Sequence, residues 1–352
     1  MKKETPKKTC ICKKISQKIG KAWTVVICCV LALLLLVFVI PQLTATLIFH
    51  DFFKDAQKEF ITPGLADGFV PQGFTYLTEQ KVYLVCGYMA DGESASRIYS
   101  IPKDEPEKAY YMELVTEDGK PYTGHTGGIS VNGNFVFLAN DGEGEDNCVW
   151  VATVYDMFRL EAGESLPLTL SFQPETRAAY CFVDGNYLWV GEFHRPVDYP
   201  TKESHTFTVA GGAEHRALVA CYKLNEEKEL GIDSLTPIRF VSVTDHVQGF
   251  ARDQYGHFIL STSYGLSKSH FLFYEDITTQ LPDASLTVND IDVPVWYLDE
   301  DVLKRDLVCP PMSEEIVIDN DRIYYLTESA SKKYIFGNFI RGRHVYSLPL
   351  VH

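Results

Sequence analysis

His246-Val247-Gln248-Gly249-Phe250 opens a strand-like segment and has imperfect copies at four other places in the chain. Each copy is followed by a polar turn and then by a segment rich in β-branched and aromatic residues, a pattern typical of β-hairpins. The copies are Val70-Pro71-Gln72-Gly73-Phe74, His125-Thr126-Gly127-Gly128-Ile129, Arg177-Ala178-Ala179-Tyr180-Cys181 and Met312-Ser313-Glu314-Glu315-Ile316. Five such units predict an all-β fold built from repeats.

The spacing of the units indicates which repeated fold they build. They begin at residues 70, 125, 177, 246 and 312. A four-stranded propeller blade needs roughly 40–50 residues, so each unit has the length of one blade with added loops. We therefore predict a five-bladed β-propeller over residues 67–352, with a strand around residues 57–63 completing the last blade. Two alternatives stay open: a sixth, degenerate blade within residues 276–310, and a β-sandwich, which does not explain a repeated marker.

The N-terminal 48 residues have a different composition. Residues 1–22 carry eight lysines and one acid, and residues 23–40 read WTVVICCVLALLLLVFVI without a charge. About 20 apolar residues span a bilayer as a helix, and flanking lysines stay in the cytoplasm. The sequence thus predicts a cytoplasmic tail, a single transmembrane signal anchor over residues 23–48, a linker over residues 49–66 and an extracytoplasmic propeller at the plasma membrane. A cleaved signal peptide is the alternative, although its apolar core is usually shorter, about 7–15 residues.

Acidic residues dominate the rest of the chain. The formal net charge of the whole protein is −15 although its first 22 residues are strongly basic, so the predicted propeller is more acidic still. Such a surface repels phosphate backbones. We therefore expect no nucleic acid partner.

When the five units are aligned, two columns of residues stand out: one at the start of each first strand and one at the end of each second strand. Both columns are expected to lie around the axis on one face of the ring, because the first strand of each blade begins where the second strand ends. Polar side chains stand in both columns, which predicts a ligand site on this face of the propeller. The alternative is that they satisfy channel waters and backbone groups. The residues in or beside the first column are Gln72, His125, Gly127, Arg177, Ala179, His246, Gln248 and Glu314. Those in or beside the second are Gly87, Tyr88, Asn140, Asp141, Glu192, His194, Ser263, Tyr264 and Glu328.

The chemistry of these residues is compatible with two classes of function. Asn140, Glu192 and Glu314 supply the oxygen ligands that calcium prefers. His125, His246 and Glu328 are candidates for moving protons near neutral pH. The sequence predicts a propeller that binds a polar ligand, a glycan, a cell-envelope component or a partner protein, or else a calcium-assisted hydrolase or cyclotransferase. The expected ligand-binding residues are Gln72, Arg177, His194, Gln248 and Tyr264.

A polar insertion over residues 194–216 follows the second strand of the third unit. It carries three histidines, His194, His205 and His215, together with several acids. Its position after a second strand places it over the axial face, as a solvated loop or as a lid. Ala210-Gly211-Gly212 provides a possible hinge for a lid.

Two of the units resemble plant-type glutaminyl cyclases, which are five-bladed propeller enzymes that cyclise N-terminal glutamine. The similarity rests on Gln72-Gly73-Phe74-Thr75-Tyr76 and on Val247-Gln248-Gly249-Phe250 with Ser263-Tyr264-Gly265. The resemblance implies the fold. The catalytic glutamate of that family would fall near Leu84 and on Leu260 here, which leaves Glu328 as the strand-end acid. A looser similarity to calcium-binding lactonase and gluconolactonase propellers rests on the axial Glu and Asn residues alone.

Overall fold

Five β-sheets surround a common axis in a computed structural model that describes Lys21 and residues 23–350. The innermost strand of each sheet contacts the innermost strands of the two neighbouring sheets, so that the contacts run from the first sheet through the fifth and back to the first. The described chain is therefore a five-bladed β-propeller, as the sequence predicts.

An apolar helix precedes the propeller. Helix α1 runs over Trp23–Ile48, includes a π-helical turn at Leu35–Val39, and is long and apolar enough to cross a membrane. A short helix, α2 (His50–Phe53), leads to strand β1 (Gln57–Ile61). The bounds of the helix match the predicted span, although a signal sequence passes the same test of length and composition.

In the first two blades the strands follow one another in chain order from the axis outward. The segment after the third strand of blade 2 then adds one outer strand to each of these two blades. Strand β9 pairs in parallel with β5 of blade 1, whereas β10 pairs with β8 of blade 2. Blade 1 contains β2 (Phe69–Leu77), β3 (Val82–Met89), β4 (Arg97–Pro102) and β5 (Tyr110–Thr116). Blade 2 contains β6 (Thr126–Asn132), β7 (Phe135–Asn140) and β8 (Cys148–Thr153), followed by helix α3 (Val154–Arg159), β9 (Ser165–Leu168) and β10 (Leu170–Phe172).

Blade 3 carries the long polar insertion. A two-stranded hairpin, β13 and β14, forms within this insertion, between the second and third strands of the blade. The blade contains β11 (Tyr180–Asp184), β12 (Tyr187–Gly191), the hairpin β13 (Phe207–Thr208) and β14 (Glu214–His215), then β15 (Ala217–Lys223) and β16 (Arg239–Val243).

Blade 4 shows where the excursion after residue 276 goes. Its hairpin β20–β21 pairs in parallel with β16 and so extends blade 3 outward. The alternative of a sixth blade within residues 276–310 is therefore wrong, because the excursion adds strands to an existing sheet. The strands of blade 4 are β17 (Val247–Arg252), β18 (Phe258–Thr262), β19 (Ser269–Tyr274) and β22 (Leu303–Cys309), and the hairpin that joins blade 3 is β20 (Ala284–Val288) with β21 (Ile291–Tyr297).

Blade 5 closes the ring. It contains β23 (Ser313–Asp319), β24 (Arg322–Thr327) and β25 (His344–Pro349), and β1 pairs with β25 as the fourth strand. The two ends of the propeller thus share one sheet, which is the closure that the sequence predicts.

A hydrophobic core fills each of the five interfaces between blades. Trp189 of blade 3, for example, packs on Phe250 of blade 4 with ring centroids 5.4 Å apart. Phe250 and Phe258 are fully buried, and burying a side chain of this size contributes about 1.5–3 kcal/mol. The fifth amino acid of the repeated marker is apolar because it packs into one of these interfaces.

The marker itself forms a β-bulge at the start of the innermost strands. In blades 1, 2 and 4 one extra residue, Gln72, Gly127 or Gln248, interrupts the pairing with the second strand. A similar irregularity lies between Ser313 and Ile316 in blade 5. Bulges re-aim side chains and bend the strand. The repeated sequence therefore marks the place where each strand turns toward the axis.

The glycines after the bulges allow the inner strands to meet. A Cβ atom on Gly128 would lie 2.5 Å from the backbone nitrogen of Cys181 and 2.8 Å from Oε1 of Glu315. A Cβ atom on Gly249 would lie 2.8 Å from Cα of Glu315. Glu315 occupies the same column of the repeat in blade 5, so one blade supplies a side chain to the space that the glycines leave.

Candidate functional site

Glu315 closes the centre of the ring. Its buried carboxylate accepts hydrogen bonds from the backbone nitrogens of Phe74 at 2.6 Å, Ile129 at 2.9 Å and Cys181 at 3.3 Å, which belong to the inner strands of three other blades. Burial raises the pKa of Glu315 well above its usual value, and the three amide donors counter that rise. Sequence reasoning missed this residue because its partners are backbone groups.

A pocket opens on the face where the innermost strands begin. Its volume is about 530 Å³, and all five blades contribute to its wall. Five of the residues that the sequence predicts to bind a ligand, hold a metal or move protons line this axial pocket: Gln72, His125, Gln248, Tyr264 and Glu328. They converge because each lies at the start of a first strand or after the end of a second strand. Gln72 and Gln248 are bulged residues, His125 precedes β6, and Tyr264 and Glu328 follow β18 and β24.

Two carboxyl groups from blade 5 lie at the pocket: Glu328 lines it together with Asp141 of blade 2, and the buried Glu314 neighbours Glu328. Glu328 accepts a hydrogen bond from Nε2 of Gln72 at 2.9 Å. Burial raises the pKa of Glu328 to about 7, although Lys333 and Gln72 lower it in part. Burial and the neighbouring Glu328 raise the pKa of Glu314 well above its usual value. Within the described residues, Oε1 of Glu314 has no hydrogen-bond partner.

Aromatic side chains form much of the remaining wall. Tyr88, Tyr199, Tyr264, Tyr334 and Phe193 all line the pocket. Three of these rings face cations.

On one side, Nζ of Lys333 lies 4.8 Å from the ring centroid of Tyr88 and 5.3 Å from that of Tyr334. The same ammonium donates a hydrogen bond to the hydroxyl of Tyr88 at 2.7 Å. On the other side, the guanidinium of Arg195 lies 4.3 Å from the centre of the Tyr264 ring. The pocket thus presents ring faces to positive charge.

The two histidines predicted to move protons stack on aromatic rings. His125 packs on Tyr88 with centroids 4.9 Å apart, and His246 packs on Tyr264 with centroids 5.2 Å apart. Desolvation, together with the charge of Lys333, lowers the pKa of His125 to about 4, so this imidazole is neutral at pH 7. Desolvation also lowers the pKa of His246. The backbone of His246 is left-handed, with φ at 64°, a conformation that non-glycine residues seldom adopt.

Glu192 lies outside the axial pocket. Its carboxylate accepts hydrogen bonds from the backbone nitrogens of Arg177 at 3.1 Å and Leu218 at 3.0 Å, and both oxygens lie 3.0 Å from Nδ1 of His205. His205 belongs to the blade 3 insertion (residues 194–216) and is fully buried. Glu192 therefore fastens the insertion to the body of blade 3.

Two residues predicted to bind a ligand, Arg177 and His194, instead contact other residues of the protein. Arg177 pairs with Asp141 at 2.6 Å and donates a hydrogen bond to the carbonyl of Pro200 at 3.2 Å. Nδ1 of His194 lies 2.8 Å from the hydroxyl oxygen of Thr201. Arg177 thus fastens the blade 3 insertion to the body of the propeller, whereas the contact of His194 lies within the insertion. The insertion covers part of the axial face, since its Tyr199 lines the pocket next to Phe193.

The three predicted calcium ligands do not fit a single ion. Both oxygens of Glu192 already accept hydrogen bonds, and the amide nitrogen of Asn140 donates to the carbonyl of Asp146 at 2.6 Å. Over Lys21 and residues 23–350, no group of three His, Cys, Asp or Glu side chains is arranged to hold a metal ion. Calcium therefore stays a prediction without an assembled ligand set among the described residues.

The fold and this pocket define a five-bladed propeller with an axial, aromatic and acidic cavity. No protein-family description matches the chain, and no characterised protein matches it in sequence.

Solved structures that resemble the chain include the GH43_1 enzyme from Xanthomonas citri, with 11% identity, a TM-score of 0.47 and coverage of 88% of this chain and 93% of that one. The PQQ-bound aldose sugar dehydrogenase from Streptomyces coelicolor has 10% identity, a TM-score of 0.45 and coverage of 83% and 96%. An exo-β-1,3-galactanase from Phanerochaete chrysosporium has 9% identity and a TM-score of 0.45, with 84% of this chain but only 64% of the galactanase covered. These similarities carry no inference about activity, and the resemblance to glutaminyl cyclases stays a prediction.

Proposed function

We propose that this protein is a membrane-tethered, extracytoplasmic propeller that binds a small polar ligand in its axial pocket. The observation that carries the proposal is the pair of buried carboxyl groups, Glu314 and Glu328, beside a cavity lined by all five blades. Buried acids are costly unless a partner satisfies them. A ligand with hydrogen-bond donors or a positive charge supplies that partner.

The tether rests on α1 and on the basic tail before it. Lysines preceding a span favour a cytoplasmic N-terminus, which places the propeller outside the cytoplasm. Mass spectrometry of the mature protein tests this part. A chain that retains residues 23–48 in the membrane fraction supports the anchor, and a mature N-terminus after residue 40 supports a signal peptide.

Ligand binding is tested on the full chain purified in detergent. We expect at least one of four probes, ethanolamine, glucosamine, N-acetylglucosamine or glycerol 3-phosphate, to raise the melting temperature at pH 7, since a ligand at 100 times its Kd stabilises by about 2.7 kcal/mol. The effect should vanish in Glu328→Gln. Glu229→Gln is the matched control, because Glu229 lies exposed in the loop between β15 and β16, on the opposite face. No shift with any probe, and no small molecule co-purifying with the wild type, would remove the proposal.

A second function, hydrolysis or cyclisation, is favoured by one specific observation. Glu314 and Glu328 share a desolvated site in which ionising one carboxyl group raises the pKa of the other. Such pairs supply one acid and one base at the same pH. Incubating the chain with a peptide that begins with glutamine, and with a simple lactone, tests both reactions. Turnover that peaks near pH 7 and is lost in Glu314→Gln supports an enzyme.

A further inference from the structure

The apolar helix α1 touches the propeller on the same face as the axial pocket. Phe38 packs against Phe339 with ring centroids 5.7 Å apart. The last turns of α1, from Ile40 to Ile48, form a groove with four propeller residues. These are Leu266, Pro311, Phe336 and Ile340.

The loops that contact α1 also build the pocket. Leu266 lies in the loop that carries Tyr264, Pro311 precedes Met312, and Phe336 lies two residues after Tyr334. Tyr264, Met312 and Tyr334 line the pocket. The helix therefore leaves the propeller beside the mouth of the pocket. Its first fourteen described residues after Ala22, Trp23–Leu36, are all exposed.

If α1 spans a bilayer, the pocket faces that bilayer. A hydrocarbon core about 30 Å thick needs about 20 helical residues, which would extend the span from Trp23 to about Gln42. Phe38 then lies within the span, and its partner Phe339 brings the propeller to the membrane surface. The mouth of the pocket opens into the headgroup region.

Exposed apolar side chains flank the mouth on three loops. Val197 of the blade 3 insertion is 83% exposed, Leu266 of blade 4 is 72% exposed and Ile335 of blade 5 is 57% exposed. Each neighbours a loop residue that contacts or lines the pocket: Tyr199, Tyr264 or Tyr334. Such side chains enter the membrane interface favourably.

Charge in the pocket is ordered by depth. Glu314 and Glu328 are 2% and 8% exposed, whereas Lys333 lines the pocket and is exposed. Arg195 is half-buried beside the Tyr264 ring and forms an ion pair with Asp198. A headgroup that enters from the membrane arrives with its distal group first and its phosphate last. A distal ammonium would then meet the acids and the rings, and the phosphate would meet the two cations.

We propose that the axial pocket takes the headgroup of a membrane phospholipid that ends in an ammonium group, of the phosphoethanolamine or phosphocholine type. The ammonium would replace that of Lys333 against Tyr88 and Tyr334 and pair with Glu328. The released Lys333 would bind the phosphate, together with Arg195, which would exchange its partner Asp198 for the phosphate. This inference rests on the proposed function, because it names the ligand of the same pocket. The cavity of about 530 Å³ is in the range that small ligands occupy.

The first arm of the test measures which face lies against the membrane. The full chain, with Cys10, Cys12, Cys28 and Cys29 changed to serine, is placed in nanodiscs, since the five propeller cysteines are buried. A fluorophore at Leu266→Cys or Ile335→Cys should be quenched by nitroxide-headgroup lipid several-fold more than one at Leu235→Cys. Leu235 is the matched control, being 52% exposed in the loop between β15 and β16 on the opposite face.

The second arm identifies the lipid. The chain is released from nanodiscs of equal phosphatidylethanolamine and phosphatidylglycerol, and the retained lipid is identified by native mass spectrometry. We expect the ethanolamine lipid to be enriched about tenfold, which corresponds to about 1.4 kcal/mol, and the enrichment to be lost in Glu328→Gln. Calorimetry with free phosphoethanolamine distinguishes a lipid-borne headgroup from a soluble one.

Three outcomes overturn the inference. Equal quenching at Leu266→Cys and Leu235→Cys would show that the pocket does not face the membrane, and the binding of a soluble probe would still stand. Equal retention of the two lipids, or binding of free phosphoethanolamine as tight as that of the lipid, would reject the headgroup. Failure of every soluble and lipid probe would remove the proposed function as well.

Discussion

Glu314 and Glu315 are neighbours in the chain but belong to two different regions of the molecule. Glu315 lies at the closed centre of the ring and accepts hydrogen bonds from three backbone amides of other blades. Glu314 lies beside Glu328 near the open pocket, and its Oε1 finds no partner in the part of the chain that the structure describes. The contrast shows that burial alone does not identify a functional acid. What distinguishes the two residues is whether groups of the protein already donate hydrogen bonds to the carboxyl oxygens.

The same contrast separates the other acids. Glu192 is as buried as Glu314, yet its oxygens are taken up by two amides and His205. Glu192 therefore has the same role as Glu315: its hydrogen bonds hold elements of the fold together. Among these four acids, the Glu314–Glu328 pair is the one with acceptor capacity left for a ligand in the described residues.

The largest expected effect lies at the closed centre. Gly128→Ala should lower the free energy of unfolding by about 3 kcal/mol or more, because the new Cβ atom meets backbone and Glu315 where neither can retreat. Gly119→Ala is the control, since Gly119 has positive φ but open space around it and should lose only about 1–2 kcal/mol. Denaturant unfolding at pH 7 measures both. Equal losses would contradict a close-packed axis.

The next effect concerns pH and the pocket. The folded pKa of Glu328 is about 7, above its ordinary value of 4.5, so the folded state binds the proton more tightly than the unfolded state. Stability should therefore fall as pH rises from about 4.5 to 7 and level off above, by up to roughly 3 kcal/mol. Glu328→Gln should flatten much of this slope. Denaturant midpoints at pH 5 and pH 8 for both proteins test it, and identical slopes would count against a desolvated pocket acid.

The smallest effect is local. Glu192→Gln turns one acceptor oxygen into a donor that faces a backbone amide or His205, and it should free the blade 3 insertion at a cost of about 1 kcal/mol in global stability. Hydrogen exchange at residues 194–216 should become several-fold faster, while exchange in β12 and β15 changes little. Glu214→Gln is the control, because Glu214 is exposed and pairs only with Arg216 at 2.6 Å among the interactions described. Unchanged protection of the insertion would show that other contacts hold it.

The repeated marker predicted more of this structure than any single residue did. Its spacing predicted five blades, and its polar columns brought Gln72, His125, Gln248 and Glu328 to one pocket. This worked because a bulge or a similar irregularity recurs at the same place in the first strands of blades 1, 2, 4 and 5.

The remaining features depend on contacts that have no period in the sequence. His205, which lies in the blade 3 insertion, contacts the carboxylate of Glu192. This predicted metal ligand is therefore engaged within blade 3 and lies outside the pocket. Tyr199, Lys333 and Tyr334 enter the pocket from insertions that only two blades have. Glu315 was missed because its column is glycine in three blades, and its hydrogen bonds go to backbone amides rather than to side chains. The fold likewise does not determine which ligand binds.

The most direct test compares the two neighbouring glutamates by isosteric substitution. The free energy of unfolding of the full chain should be measured at pH 8 for Glu314→Gln and Glu315→Gln. We expect Glu314→Gln to be as stable as the wild type or more stable, because it removes a buried acid that lacks partners, and Glu315→Gln to lose about 1–3 kcal/mol, because one of its acceptor oxygens becomes a donor that faces amide donors. Equal losses in the two variants would contradict the division between a closed structural centre and an open binding pocket.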